Sequence, residues 1–219
     1  MFQPHTHIDK LCEMRAARFK REFLWDTKDN RKTIVFKKFL YLCGRKDSNM
    51  QLDFEIDKLT HSLEDVLTGK RYETEVLTLS KHDMKHTSKK NGWQFDWSVE
   101  IKNPTKSVFK LVILEQREVI QGLVSTSKED GFVMMNLIES APHNFGKNKK
   151  YYGVAGNLVA FVCRLSKEYG FDGEILFFSK TKLIEHYEKT LGAVHIGGHR
   201  MIIYEQEAQR LIQKYYPNF

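Results

Sequence analysis

The stretch KNKKYYGVAGNLVAFVCRLSKEYG, residues 147–170, is the most informative in this 219-residue chain. Leu158, Phe161, Val162, Leu165 and Tyr169 recur at the three-and-four spacing of an amphipathic helix, which predicts a helix from about Gly153 to Tyr169. Ahead of that face stand Gly153, Val154, Ala155 and Gly156, small residues where the chain enters the helix. A helix N-terminus presents unpaired N–H donors and a partial positive charge, and small residues let an anion come close to them. Lys147, Lys149 and Lys150, with Lys128 farther off, bring charge toward the same region. A pyrophosphate would suit this turn, although a tight turn with close helix packing explains the same glycines equally well.

Working outward, residues 108–114, 118–125 and 132–138 are β-prone runs separated by short polar connections, the pattern of an antiparallel meander, and residues 75–79 add a strand before it. A dinucleotide fold would place its glycine turn after the first strand of a βαβ series, so the meander argues against it. A Walker loop needs Lys and then Ser or Thr after its last glycine, where this chain has Asn157 and Leu158. Downstream, a buried strand is predicted at residues 175–178 and a helix at 181–190. A closing hairpin follows around GGHR, and then a last helix at 205–215 with Ala208, Leu211, Ile212 and Tyr215 on one side.

The N-terminal third reads differently. Residues 8–25 carry Ile8, Leu11, Cys12, Ala16, Phe19 and Phe23 at near-helical spacing, and residues 33–42 fit helix or strand. Leu52, Ile56, Leu59, Leu63, Val66 and Leu67 predict another amphipathic helix over residues 52–67, with Gly69 as its stop. The expected division is a mainly helical extension, residues 1–72, and a second domain, residues 73–219. Residues 81–92 read as a polar, basic loop. In GWQFDW, Trp93, Phe95 and Trp97 alternate, so in a strand they share one face, turned to the core or forming one wall of a substrate site.

Composition sets the outer limits. With 41% hydrophobic and 29% charged residues the chain is of ordinary globular type. The first twenty residues lack the apolar run of a signal peptide, and nothing approaches the ~18 apolar residues of a membrane span, so a cytoplasmic protein without a membrane partner is expected. Cys12, Cys43 and Cys163 show neither a disulfide framework nor zinc spacing, and no metal site is expected. The formal charge of +7 favours anionic partners, phosphorylated cofactors or nucleic acid.

Lys150-Tyr151-Tyr152-Gly153-Val154-Ala155 resembles the Gln/Arg-x-x-Gly-x-Gly/Ala pattern of the GNAT (Gcn5-related) acyl-CoA N-acyltransferase superfamily, which opens a helix after the fourth strand; Lys stands at its first position here. HYEKTLGA, from His186, resembles the family's FYEKxGF element, lengthened by Thr190. The resemblance covers residues 73–204. It implies an α+β fold, a mixed and mostly antiparallel sheet flanked by helices, and transfer of an acyl group, acetyl from acetyl-CoA, to a primary amine by direct attack.

The family's cofactor turn maps onto Lys150, Tyr151, Tyr152, Gly153, Val154, Ala155, Gly156 and Asn157. Backbone groups near Ile138 and Ser140 would hold the thioester, and Lys180 stands where the family often has a CoA-contacting Asn. Glu139, at the end of FVMMNLIE, is the implied general base, with His143 as the next choice, and Tyr187 is the implied acid toward the departing thiolate. The acceptor amine is left open. The family's toxin members and the basic stretch 81–90 make the amino group of an aminoacyl-tRNA one alternative. A non-catalytic acyl-CoA-binding or interaction module is another, and a homodimer is compatible with the resemblance.

Overall fold

The computed structural model describes residues 52–219. The elements predicted at residues 8–25 and 33–42 lie outside the described residues. Strands β1 (Leu63–Asp65), β2 (Arg71–Tyr72) and β3 (Thr74–Thr78) come first, followed by two short 3-10 turns, helix α1 (Trp97–Lys102) and the meander β4 (Ser107–Ile113), β5 (Gln116–Glu129) and β6 (Phe132–Ser140). Then come β7 (Tyr151–Tyr152), α2 (Val154–Glu168), β8 (Ile175–Phe178), α3 (Ile184–Leu191), the hairpin β9 (Val194–His195) and β10 (Arg200–Ile203), and α4 (Glu205–Tyr215).

Seven strands form the main sheet in the order β3-β4-β5-β6-β8-β10-β9. All neighbours are antiparallel except β6 and β8, which are joined through α2, the long crossover that a parallel pair requires. The cofactor-like turn thus follows the fourth strand of the sheet, and the architecture is the GNAT-like one that the two motifs imply. β1 joins β2 and β7 in a separate three-stranded sheet.

Alternation along β5 and β6, reset by a register shift between the Ser125–Leu137 and Thr126–Met135 pairs, splits the core between the two faces of the sheet. Val124, Val133, Met135 and Ile138 meet α2, whose residues from Val154 to Cys163 are all buried, and α4, which contributes Ala208, Leu211, Ile212 and Tyr215. Leu123 and Leu137 meet Trp93 and Trp97 on the other face. Among the described residues no helix is long and apolar enough to cross a membrane, and no group of His, Cys, Asp and Glu could hold a metal ion.

Two expectations fail. Residues 52–67 are not a helix: residues 52–60 run without helical turns and β1 follows. The helical spacing of Leu52, Ile56, Leu59 and Leu63 coexists with a period-two pattern in Leu52-Asp53-Phe54-Glu55-Ile56-Asp57, and packing selects the latter. Leu52, Phe54 and Ile56 are buried, while the three acidic residues face outward. Nor do Trp93, Phe95 and Trp97 lie on a strand. Asp96 accepts a hydrogen bond from the Ser98 N–H at 3.0 Å and caps a helix that starts at Trp97. Trp93 and Trp97 still reach the core, packed edge to face at 6.4 Å.

Candidate active site

The site begins where the sheet comes apart. β6 and β8 pair only at Val133 with Ile175 and Met134 with Leu176, so the remainder of β6, through Ile138, Glu139 and Ser140, runs without β8 beside it. A cleft of about 370 Å³ lies there. One wall is Ile138, Glu139 and Ser140 with Gln94 and Phe95; the other is Asp53, Phe54, Glu55 and Asp57; Lys147, Lys149, Lys182 and Ala155 close its margins. Glu139, Ile138, Ser140 and Ala155, all assigned in the sequence, are therefore brought together.

Glu139 lies two residues beyond Leu137 on β6, on the face covered by Trp93 and Trp97, and is only 6% exposed. Its carboxylate accepts the Gln94 N–H at 2.6 Å and the Trp97 indole N–H at 2.7 Å. Burial pushes its pKa above the ordinary carboxylate value, and these donors, which favour the charged form, hold the rise back. His143 lies beyond the cleft lining, with Nε2 3.0 Å from Gln121 Oε1.

At the α2 turn, Gly153 has φ of +89°, a left-handed conformation that favours glycine, and a Cβ there would drive into Thr60 Oγ1. Its N–H donates to Asp57 Oδ1 at 3.1 Å, and Lys149 Nζ lies 2.9 Å from Asp57 Oδ2. An acidic oxygen therefore already occupies the place predicted for an anion. Gly156 has a different reason: a Cβ there would meet Tyr215 Oη at 2.5 Å and Leu59 at 2.9 Å, so that glycine serves close packing. The buried Asn157 gives its side-chain amide to Thr74 Oγ1 at 3.0 Å, toward β3.

The remaining assigned residues are dispersed. Tyr151 and Tyr152 form β7 against Asp65 and Glu64, and the ammonium of Lys150 stands over the Tyr151 ring at 5.1 Å. Lys128 stacks on Tyr169 at 4.6 Å and lies outside the cleft lining. Tyr187 is fully buried, and its hydroxyl donates to the Phe54 carbonyl at 2.6 Å; burial pushes its phenol pKa up. Lys180 pairs with Asp53, which Lys182 also reaches at 3.1 Å.

Sequence reasoning missed Asp53, Phe54, Glu55 and Asp57, which form a whole wall. The signal that would have found them is the apolar-acidic alternation of residues 52–57, obscured by the longer helical spacing in which it is embedded. Gln94 carried no local signal, and nothing near Trp97, read as core or substrate wall, marked it as a donor to Glu139, because both contacts are with a residue more than 40 positions away.

No protein-family profile matches the chain, and no curated protein matches it. Among solved structures it is similar to the spermidine/spermine N-acetyltransferase SpeG from Vibrio cholerae, with 15% identity, 63% of this chain and 97% of that chain covered, and a TM-score of 0.48. A spermidine N-acetyltransferase from Vibrio cholerae in complex with CoA and spermine matches with 15% identity, 63% and 98% coverage and a TM-score of 0.43. A dodecameric spermidine N-acetyltransferase structure from the same organism matches with 16% identity, 62% and 95% coverage and a TM-score of 0.44.

Proposed function

We propose that the chain is an acyl-CoA-dependent N-acyltransferase that moves an acetyl group from acetyl-CoA to a primary amine. One observation carries this reading: the parting of β6 from β8 sets the N-terminus of α2 and the buried carboxylate of Glu139 on a single cleft. The residues fit the cofactor, since the α2 turn already accepts an oxyanion at the Gly153 N–H and Lys149 stands beside it. When bound, acetyl-CoA supplies an activated thioester.

The protein's own part is positioning and proton transfer. An amine attacks only when neutral, and Glu139 takes its proton with a pKa raised toward working pH. The Gln94 N–H and the Trp97 indole fix the orientation of that carboxylate. Backbone groups at Ile138 and Ser140, on the part of β6 that β8 leaves uncovered, would hold the thioester, and a main-chain N–H there would stabilise charge developing on its oxygen. Tyr187 acts as acid toward the departing sulfur once its hydroxyl leaves the Phe54 carbonyl.

The test mixes the full chain with acetyl-CoA and a panel of primary amines and follows thiol release. Turnover with any amine is expected. A second reading, a non-catalytic acyl-CoA-binding module, is favoured by the engagement of the Tyr187 hydroxyl, the proposed acid, by the Phe54 carbonyl. CoA binding without thiol release across the panel would favour that reading over the first.

A further inference from the structure

Residues 52–57 lie in the gap between β6 and β8 in the manner of a ligand. Ser179 donates its N–H to His199 on the β10 side, so Phe178 and Lys180 turn their backbone groups the other way, toward β6. There the Leu52 N–H meets the Phe178 carbonyl at 2.6 Å, and the Lys180 N–H meets the Leu52 carbonyl at 3.2 Å, a one-residue parallel bridge. Phe54 packs on Tyr187 with ring centroids 5.2 Å apart and takes its hydroxyl, and the Ile56 N–H donates to His186 Nε2 at 2.8 Å. Asp57 closes the run on the Gly153 N–H and Lys149, while Asp53 sits with Lys180 and Lys182 at the other end. An extended, alternately apolar segment with an acidic group near each end thus occupies the turn, the strand edge and the tyrosine that the acyl-CoA reading assigns to the cofactor.

We propose that residues 52–57 are a built-in competitor for acyl-CoA, displaced when the cofactor binds; the proposal rests on the acyl-CoA reading of the cleft. The Asp57 carboxylate and a pyrophosphate seek the same Gly153 N–H and the same lysine, and two anions repel at that distance. Burial of Leu52, Phe54 and Ile56 holds the segment, while its polar attachments are few and exchangeable. Among the described residues its backbone pairing with β8 is confined to Leu52, and Asp53 and Asp57 are held by partly exposed lysines whose partners water or another anion can replace. Displacement frees the Tyr187 hydroxyl at the moment the thioester arrives, so cofactor binding and acid availability become one event. The apparent affinity for CoA is lowered by the fraction of chains in which the segment is seated.

The experiment titrates CoA by calorimetry into the full wild-type chain and into an Asp53→Ala/Asp57→Ala variant, with amide exchange at Leu52 and Ile56 followed in wild type with and without saturating CoA. At least about tenfold tighter binding to the variant is expected, together with faster exchange at both amides when CoA saturates wild type. Equal affinity, or weaker binding because the two aspartates belong to the cofactor's own wall, overturns the proposal and leaves the acyl-CoA reading standing. No binding to either folded protein overturns both. If the variant does not fold, exchange in wild type decides: protection unchanged at CoA saturation overturns the proposal, and its loss supports it.

Discussion

The surroundings of Glu139 set both its proton affinity and its orientation. Burial raises its proton affinity while the Gln94 and Trp97 donors restrain the rise and fix its direction. As a base, it should lose about 10²- to 10⁴-fold in kcat on Glu139→Gln, with KM for acetyl-CoA little changed, in steady-state assays. Trp97→Phe removes one donor to the charged form. The acid limb of the pH–rate profile should then move to higher pH, a displacement that mere loosening of the core would not produce. The same shift has a stability consequence. Because the folded pKa lies above the ordinary 4.5, Glu139 favours the fold below that pH, and this contribution is lost as pH rises through the folded value. Denaturant titrations should therefore show wild type losing ground to Glu139→Gln between acid and neutral pH.

Single elements carry their own constraints. The turn into α2 depends on a left-handed glycine pressed against Thr60, so even Gly153→Ala strains the backbone and collides with a neighbouring segment. A loss of about 1–3 kcal/mol is expected in urea unfolding, with part recovered in the Thr60→Ala background, since neighbouring substitutions are non-additive. The 3-10 turn Asp83–His86 is held differently. Burial works against the Asp83 charge, but Lys110 Nζ at 2.7 Å and the hydroxyl and N–H of Ser80 hold its pKa below the ordinary 3.8. Asp83 therefore supports the fold above pH 3.8, and that support is lost as pH falls through the depressed folded value. Asp83→Asn should cost about 1–3 kcal/mol at pH 7, and the difference from wild type should close under acid, as measured by parallel unfolding curves.

Across the whole molecule, stability and reactivity are joined through the α2 core. Cys163 is fully buried in the middle of α2, and burial pushes its thiol pKa up. With Cys12→Ser and Cys43→Ser in place, its reaction with a thiol reagent should track global unfolding, slower than an exposed thiol by about 10³-fold or more. Labelling that is fast and insensitive to denaturant would show that α2 opens locally.

How much of this was legible depends on the range over which each feature is encoded. The meander, α2, β8, α3, the closing hairpin and α4 follow from periodicity and turn residues, because each repeats its signal within a dozen neighbours. The α2 turn and the position of Glu139 at the end of its strand were equally readable. Residues 52–67 were not, since a helical spacing and a two-residue alternation share the same letters, and the burial of Leu52, Phe54 and Ile56, with one bridge beside β8, selects the extended form. GWQFDW likewise yields to the Asp96 cap and the carboxylate at Glu139. The sequence by itself determined the order of the main elements from β4 onward, the glycine turn ahead of α2 and the place of Glu139 near the end of β6, because those are local. Only the tertiary structure decided what fills the gap between β6 and β8, because that rests on hydrogen bonds between groups far apart in the chain, which no window of neighbouring residues contains.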